Sequence, residues 1–514
     1  MTGKNENRST AYRPTVGVAS GIGAVASCAV LAVIDQAGAS VSVRAGDDLQ
    51  AAIDNANPGD VLRLEAGATF TGNFVLPAKR RGEPITIRTS SDDCRLPSER
   101  DRISPAQHAL LPTIVQRGAE PALRTAPGTK GWRVVGVRFI GNGNGDLIAL
   151  GDSGAGQRTH AEVPENIVFD RVVVLGDACR GQKRGIALNS GDTTIRNSFI
   201  ADIKAIGQET QAIAGWNGPG PFLIENNYLE AAGISVLFGG VEPSIANLVP
   251  SQIVVRRNTM SKPLEWRNLN WTVKNLLELT NARRVLVEGN VLEHNWSAAQ
   301  VGFAIPFTVR ASGPAASWST IEDVVFQNNI VRSAAGGINL VGARNILIRN
   351  NLFDDIDQER WGGNGAFLQM GDEPATITVE RNTVLQTGNL VTAYGGTRVA
   401  PRPIRGFRFV NNIGRHNGFG VFGDGFGSGV PAISAYFPDA DITGNVIAGG
   451  QSRLYPPGNL FPSVNELMRQ FPNGAAGDWR LQPGSVFRSA AADGGTVGVD
   501  HAELFRAVGG LGPR

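Results

Sequence analysis

Cysteine and excess charge are both scarce in this sequence. Its 514 residues include three cysteines, and lysine plus arginine total 48 against 46 aspartates and glutamates, a formal net charge of +2 at pH 7. Because positive and negative charges are nearly equal in number, the protein has no strong electrostatic field of either sign. This argues against binding to nucleic acid or to an anionic membrane. Charged residues make up 18% and hydrophobic residues 42%, so most of the chain is expected to fold.

Long apolar runs are confined to the N-terminus. Residues 1–39 run from a basic start through the apolar stretch 16–34 to a small-residue site. This order predicts a signal peptide and therefore a secreted or periplasmic protein whose mature chain has no membrane span. The alternatives are an uncleaved anchor and a surface lipoprotein acylated at Cys28. Beyond this segment, Cys94 and Cys179 form either one disulfide or two buried thiols.

Glycine is abundant, and a short motif repeats. The chain has 65 glycines, which favours a β fold with many tight turns. A pattern of apolar-x-apolar-x-x-Asn recurs at intervals of 22 to 39 residues, and such unequal spacing indicates a constant core with variable loops. Its copies end at Asn227, Asn258, Asn290, Asn329, Asn351, Asn382, Asn412 and Asn445, with degenerate copies centred on Val137, Val172 and Ser198.

Each copy of the motif predicts three short strands and no helix. Two alternating strands flank the asparagine, and a third apolar run follows, such as residues 276–279. Three strands per roughly 30 residues form one coil of a parallel β-solenoid. The sequence therefore predicts an all-β, single-domain parallel β-helix over residues 40–450, with about 11 coils and an asparagine ladder at one turn.

Short capping helices are predicted at both ends of the solenoid, where open sheet edges need cover. Residues 47–53 form the N-terminal one, and residues 463–471 form the C-terminal one. Residues 451–514 are interpreted as a C-terminal cap that covers the last coil.

The opening segment Leu49-Gln-Ala-Ala-Ile-Asp-Asn-Ala-Asn-Pro-Gly-Asp-Val61 and the repeated coils resemble the right-handed parallel β-helix proteins of the pectate-lyase-like superfamily. The resemblance covers roughly residues 47–448. It is specific for the fold and not for the reaction, because the superfamily includes lyases, hydrolases, epimerases and adhesins. It implies a polysaccharide groove along the third strand of each coil. Those strands are predicted at residues 211–217, 235–239, 275–280, 305–310, 338–341, 367–370 and 391–394.

The characteristic motifs of pectate lyases and polygalacturonases are absent. A looser similarity to the chondroitinase-B and alginate-lyase type implies carboxylates that hold calcium beside a catalytic Lys/Arg pair. Glu278 and Arg310 occupy comparable positions, but Thr280 stands where the lysine is expected, and Lys274 lies on the other side of Glu278. This similarity implies Lys274, Arg310 and Glu278 as catalytic residues and Ca²⁺ as a possible cofactor. The predicted metal ligands are Glu278, Glu242 and Glu209. The alternative is a plain surface ion pair between Lys274 and Glu278.

Tryptophans beside polar side chains indicate a sugar-binding surface, because a flat indole suits the apolar face of a sugar ring. The alternative is that these rings fold back to cover a sheet. The predicted substrate contacts are Trp216, Trp266, Trp271, His294, Trp296, Gln300, Asn339, Trp361 and Gln369.

These features favour an exported polysaccharide lyase that cleaves a uronic-acid polysaccharide by β-elimination. In that reaction a base removes the C5 proton while a positive charge neutralises the carboxylate. The alternatives are a glycoside hydrolase or uronan epimerase on the same fold, and a non-catalytic glycan-binding surface protein. The expected partner is a polysaccharide, with no nucleic acid, and the protein is expected to be a monomer.

Overall fold

Three long β-sheets, which we call sheets A, B and C, form the computed structural model, which describes residues 38–310 and 318–509. Each coil contributes one strand to each sheet in the order A, B, C. Neighbouring strands are parallel except for the last pair of sheet C, which is antiparallel. Stacked parallel strands of this kind make a single parallel β-helix, as predicted.

The strand bounds follow the motif closely. Sheet A contains 14 strands: Ser40–Val43, Val61–Leu64, Ile85–Thr89, Lys130–Val135, Glu165–Asp170, Thr193–Arg196, Phe222–Glu225, Ser251–Arg256, Ala282–Glu288, Ile321–Gln327, Arg344–Arg349, Ala375–Glu380, Phe407–Val410 and Asp441–Thr443. Sheet B contains 13: Thr69–Gly72, Thr113–Gln116, Arg138–Ile140, Val173–Leu175, Phe199–Ile203, Tyr228–Ala231, Thr259–Ser261, Val291–Asn295, Ile330–Ala334, Leu352–Ile356, Thr383–Gln386, Ile413–Arg415 and Val446–Ala448. Sheet C contains 13: Phe74–Leu76, Leu123–Thr125, Asp146–Leu150, Arg184–Leu188, Gln211–Gly215, Ile234–Phe238, Leu277–Leu279, Phe303–Thr308, Gly336–Val341, Leu368–Gly371, Val391–Tyr394, Val421–Gly423 and Gly427–Ser428. A separate hairpin pairs Gly396–Thr397 with Ala400–Pro401.

The helices are short and lie outside the sheets. They are α1 (Leu49–Asn55), α2 (Gln358–Trp361), α3 (Val430–Tyr436), α4 (Val464–Met468) and α5 (His501–Val508). The side chain of Asp48 caps α1 by accepting a hydrogen bond from the backbone N–H of Ala51. Leu49 and Ile53 of α1 are buried in the main core, so this helix packs at the N-terminal end of the coils.

The asparagine of each coil bonds to that of the next. Asn258 is typical. Its Oδ1 accepts hydrogen bonds from the backbone N–H and the side-chain Nδ2 of Asn227. Its own Nδ2 donates to Asn290 Oδ1 at 3.0 Å and to the carbonyl of Ile224 at 2.9 Å. These side chains thus satisfy buried turn groups that no strand pairs. The bonded row consists of Asn227, Asn258, Asn290, Asn329, Asn351, Asn382, Asn412, Asn445 and Asn459.

Two coils precede the first one that the motif marks. The first consists of Val61–Leu64, Thr69–Gly72 and Phe74–Leu76, and the second of Ile85–Thr89, Thr113–Gln116 and Leu123–Thr125. In the first of them the chain between sheets A and B turns at Gly67, which has a φ of +78°. These coils lack the asparagine, and the sequence motif begins with the degenerate copy at Val137.

The residues after the last coil pack along the outer face of sheet B. Leu467, Phe471 and Leu504 share one hydrophobic cluster with Ile330 and Leu352 of that sheet. Polar contacts fix the same segment, since the backbone N–H of Asp500 donates to Asn350 Oδ1 at 2.6 Å. The C-terminal residues therefore cover the side of several coils in addition to the last one.

Several expectations concern the N-terminal segment and the cysteines. Residues 1–37 of the predicted signal peptide, including Cys28, lie outside the described residues. Within residues 38–310 and 318–509, no helix combines the length and the apolar character needed to cross a membrane. Cys179 is a free, exposed thiol, so a disulfide between Cys94 and Cys179 is not formed, and Cys179 is not the buried thiol of the alternative either.

A fully buried lysine fastens the turn that leads into the strand Leu277–Leu279. The ammonium group of Lys262 donates to the carbonyls of Ala231, Gly233 and Asn275 at 2.9, 3.3 and 2.8 Å. Burial lowers the pKa of Lys262 to about 7. Its three acceptors match the three donors of an ammonium group, and they join this turn to the turn of the preceding coil that leads into the strand Ile234–Phe238.

Replacing Lys262 with methionine is expected to lower the free energy of unfolding by about 3 kcal/mol, because three buried carbonyls lose the hydrogen bond from the ammonium group and only that of Gly233 keeps another donor, the backbone N–H of Asn275. The measurement is the midpoint of urea unfolding followed by circular dichroism. Lys130→Met is the control, since the side chain of Lys130 is 55% exposed and should change stability by less than about 0.5 kcal/mol. Equal midpoints for the two variants would contradict a fastening role for Lys262.

Candidate functional site

One row of residues in register runs across sheet C, and we call it the groove row. Strand pairing aligns its members from coil to coil. They are Ala149, Ala187, Ala214, Leu237, Glu278, Pro306, Asn339, Gln369 and Thr392. From Ala149 to Leu237 the row is apolar, from Glu278 onward it is mostly polar, and Arg124 precedes Ala149 in the same register. The reactive groups of this face are therefore expected near Glu278, where the row changes from apolar to polar.

Glu278 lies in the groove row between two cations from neighbouring segments. Its Oε2 is 3.8 Å from Lys274 Nζ, and its Oε1 is 3.7 Å from a terminal guanidinium nitrogen of Arg310. The side chain of Glu278 is 3% exposed, whereas that of Arg310 is 54% exposed. Oε2 of Glu278 has no hydrogen-bond partner among the described residues. The three predicted catalytic side chains thus meet at one point, with only the arginine open to solvent.

Burial is the main influence on the ionisation of Glu278. It raises the pKa of this carboxyl group above the usual glutamate value, and the charges of Lys274 and Arg310 offset only part of that effect. Burial disfavours the ionised form of this carboxyl group, and one of its oxygens has no hydrogen-bond partner. Both features favour its accepting a proton.

A chain of polar contacts extends from Lys274 toward the N-terminal coils. Lys274 forms a direct ion pair with Glu209, and Gln211 Nε2 donates to Glu209 Oε1 at 2.7 Å. Arg184 in turn donates from Nε to Gln211 Oε1 at 2.9 Å and pairs with Asp146 at 2.6 Å. Each member is held by the next, so Lys274 is fixed in position.

The donor set does not fit a calcium ion. Calcium takes six to eight oxygen ligands, usually including several carboxylates. Here the ammonium group of Lys274 contacts Glu209 and lies 3.8 Å from Glu278, so a cation placed between these carboxylates would meet a positive charge. Glu242 is a half-buried residue of the loop after Gly240. In the described ranges, no group of three or more His, Cys, Asp or Glu residues is arranged to hold a metal ion.

The predicted tryptophan contacts are mostly packed inside the groove wall. Trp266, Trp296 and Trp361 are 4 to 5% exposed and form one cluster, with the half-buried Trp271 at its edge. Trp216 is 5% exposed and lies under the guanidinium of Arg184, 4.8 Å from its ring centre. In this structure the rings stabilise the wall, and their faces are not open to a sugar.

The remaining predicted contacts fall into two places. Asn339 and Gln369 are adjacent in the groove row, with Gln369 Nε2 donating to Asn339 Oδ1 at 3.4 Å. His294 and Gln300 lie beside the tryptophan cluster, where His294 Nδ1 is 3.3 Å from Ser261 Oγ. The amides are thus available to a ligand in the groove, whereas the histidine belongs to the wall.

Sequence reasoning missed two polar residues of this face, Arg184 and Tyr394. Arg184 holds Gln211, which in turn holds Glu209, and Tyr394 lies beside Gln369. Register offered a signal, since Arg184 aligns with Gln211 on neighbouring strands of sheet C. The sequence shows the register of the strands of sheet C less clearly than it shows the asparagine motif, because no single residue type recurs at the same position of these strands.

Solved structures of similar fold include two polysaccharide lyases. The PL6 family alginate lyase AlyGC superposes with a TM-score of 0.53 at 14% identity, over 83% of this chain and 53% of that chain. This chain therefore spans about half the length of AlyGC. A mannuronic acid-specific polysaccharide family 6 lyase from the human gut microbiota has a TM-score of 0.52 at 12% identity, over 91% and 98% of the two chains.

The A-module of the mannuronan C-5 epimerase AlgE6 from Azotobacter vinelandii is also similar, with a TM-score of 0.46 at 15% identity, over 78% of this chain and 94% of that chain. No protein-family model and no curated protein sequence matches this chain. At identities of 12 to 14%, the likeness to the two lyases shows the fold, which is the parallel β-helix implied by the sequence resemblance.

Proposed function

We propose that this protein is a polysaccharide lyase that cleaves a uronic-acid polysaccharide by β-elimination in the groove of sheet C. The observation that carries the proposal is the buried carboxylate of Glu278, held in the groove row between Lys274 and the open guanidinium of Arg310. A base and a fixed positive charge side by side are what removal of a proton next to a carboxylate requires.

Arg310 is assigned to the carboxylate of the substrate. Its side chain is 54% exposed, and a guanidinium can bind a carboxylate through two parallel hydrogen bonds. Neutralising that carboxylate stabilises the enolate-like state formed when the C5 proton leaves. No step of this reaction passes through calcium, because the donor set around Lys274 does not fit that ion.

Lys274 is assigned to proton transfer. As an ammonium group it can give a proton to Glu278, whose raised pKa favours acceptance. The resulting amine removes the C5 proton of the uronate and then donates it to the glycosidic oxygen as that bond breaks. The C5 proton thus ends on the leaving oxygen, and Glu278 then returns the first proton to Lys274. The products are an unsaturated uronate and a free hydroxyl group.

The pH dependence of activity should follow Glu278. In this scheme Glu278 must be ionised to take the proton of Lys274, so kcat/KM should fall as the pH drops through the pKa of Glu278. Because burial raises that pKa, the loss should begin at a higher pH than for an ordinary glutamate of pKa about 4.3. A pH–rate profile checks this, with Glu278→Gln expected to show a low rate that lacks this limb. An identical acid limb in the variant would contradict the assignment.

The proposal is tested with a panel of uronic-acid polysaccharides, beginning with alginate because AlyGC, which has a similar fold, is an alginate lyase. Ultraviolet absorbance of the unsaturated product should rise with the wild-type protein. Arg310→Gln should lower the rate by about 100-fold or more. Arg408→Gln is a matched control, since Arg408 on sheet A has the same 54% side-chain exposure. Full activity of Arg310→Gln, or new reducing ends without absorbance, would contradict a lyase centred here.

A further inference from the structure

A cavity of about 270 Å³ opens on sheet C several strands before Glu278. Its floor is formed by Ala149 and Ala187 of the groove row and by Arg124, which pairs with Ala149 on the preceding strand, and its sides carry Glu120 and Asp152. Two adjacent alanines in the floor leave room for a flat ring to approach the backbone. From Ala187 to Glu278 there are three strand steps, which is roughly 14 Å at the usual spacing of parallel strands.

The wall of this cavity is fixed by two buried amides. Gln157, which is 1% exposed, donates to the carbonyls of Asn189 and Asn217 at 2.7 and 2.6 Å. Asn217, which is fully buried, donates to the carbonyls of Asp152 and Gln157 at 3.0 and 2.9 Å. The loop of residues 151–157 is therefore held in place before any ligand arrives, which lowers the entropy that binding must offset.

One buried donor at the cavity has no partner. Asn189 lines the cavity and is fully buried, and its Oδ1 accepts hydrogen bonds from the backbone N–H groups of Trp216 and Asn217. Its Nδ2 has no hydrogen-bond partner among the described residues. Unpaired buried donors are uncommon in folded proteins, and an acceptor from a ligand or from a bound water would satisfy this one.

The charges of the cavity indicate what kind of ring it accepts. Asp146 is neutralised by Arg184 at 2.6 Å, which leaves the carboxylates of Glu120 and Asp152 against the single guanidinium of Arg124. A uronate would bring a further negative charge to a lining that already carries a net charge of −1. Sugar hydroxyl groups, by contrast, can donate to both carboxylates and accept from Arg124.

We propose that this cavity binds an uncharged sugar residue of the same chain that Lys274, Glu278 and Arg310 cleave, several units away from the cleaved bond. This inference rests on the proposed function and refines its substrate class. The substrate is then a heteropolysaccharide in which uronic acids are combined with neutral sugars, and not a polymer of uronic acid alone.

The test uses an array of size-defined oligosaccharides that pairs uronate homopolymers with polymers of uronates and neutral sugars. Wild-type protein should bind the mixed oligosaccharides about tenfold more tightly. Ala149→Leu, which fills the cavity, and Arg124→Ala should each abolish that preference. Arg133→Ala, at an exposed position on sheet A, is the control and should keep it.

Equal or tighter binding of the homopolymers would overturn the inference. Two other results would also overturn it: that wild-type protein binds none of the oligosaccharides, or that both Ala149→Leu and Arg124→Ala keep the preference. Cleavage by the wild-type protein separates the two proposals. If wild-type protein shows the preference but cleaves none of the oligosaccharides, the cavity assignment stands and the lyase function is removed. If both proposals hold, Lys274→Gln should keep the preference and lose the cleavage.

Discussion

Replacing Lys274 with glutamine is expected to lower kcat/KM about a thousandfold, within the range typical for loss of a group that transfers a proton. Glutamine keeps a hydrogen-bonding side chain beside Glu209 but cannot accept the C5 proton. The measurement is the initial rate of unsaturated-product formation on the best substrate of the panel. Lys130→Gln, which replaces an exposed lysine paired with Glu165 on sheet A, should retain the wild-type rate.

A second substitution separates proton transfer from a purely structural ion pair. Lys274→Arg keeps the positive charge between Glu209 and Glu278, so the fold and thermal stability should be retained. Arginine does not lose its proton in proteins, and the rate should therefore be as low as that of Lys274→Gln. Substantial activity in Lys274→Arg would show that this position supplies only charge.

Replacing Asn329 with alanine is expected to lower the free energy of unfolding by about 4 kcal/mol, because several buried groups lose their partners together. The Oδ1 of Asn329 accepts from the backbone N–H and Nδ2 of Asn290. Its Nδ2 donates to the carbonyls of Val287 and Gln327 at 3.0 and 2.9 Å. The shift in the urea midpoint measures the loss.

Asn459→Ala provides the matched comparison at the end of the same row. Asn459 makes analogous contacts with Asn445 and with the carbonyl of Ile442, but it is only partly buried. Water can replace its lost hydrogen bonds, so the expected destabilisation is less than half that of Asn329→Ala. Equal losses at the two positions would show that burial of the row does not determine its contribution.

The fold was readable from the sequence because its strands obey a short local period. The third strand predicted at residues 391–394 is Val391–Tyr394 in the structure, and the one predicted at 338–341 lies within Gly336–Val341. Glu278 and Arg310 were predicted on adjacent groove strands and do lie 3.7 Å apart, although Arg310 follows the end of the strand Phe303–Thr308. Periodic strands that stack on their neighbours leave little choice of arrangement.

The loops were not readable in the same way. Nothing local to Trp266 or Trp296 indicates that their rings pack against each other and against Val273, since the partners come from different coils. The cavity beside Arg124 likewise depends on a loop fixed by Gln157 and by Asn217, 60 residues later in the chain. Contacts set by the path of a loop carry no period, so a sequence pattern cannot reveal them.

The most direct test of the account is the mass of the products formed in heavy-oxygen water. β-Elimination breaks the glycosidic bond without adding water, so we expect one product that is lighter by a water molecule than a hydrolysis product. Neither fragment should gain heavy oxygen beyond the slow exchange that any reducing end undergoes, which the uncleaved oligosaccharide measures. Arg310→Gln should form this product far more slowly. Fragments that carry heavy oxygen and lack the unsaturated uronate would show hydrolysis and contradict the roles assigned to Lys274, Glu278 and Arg310.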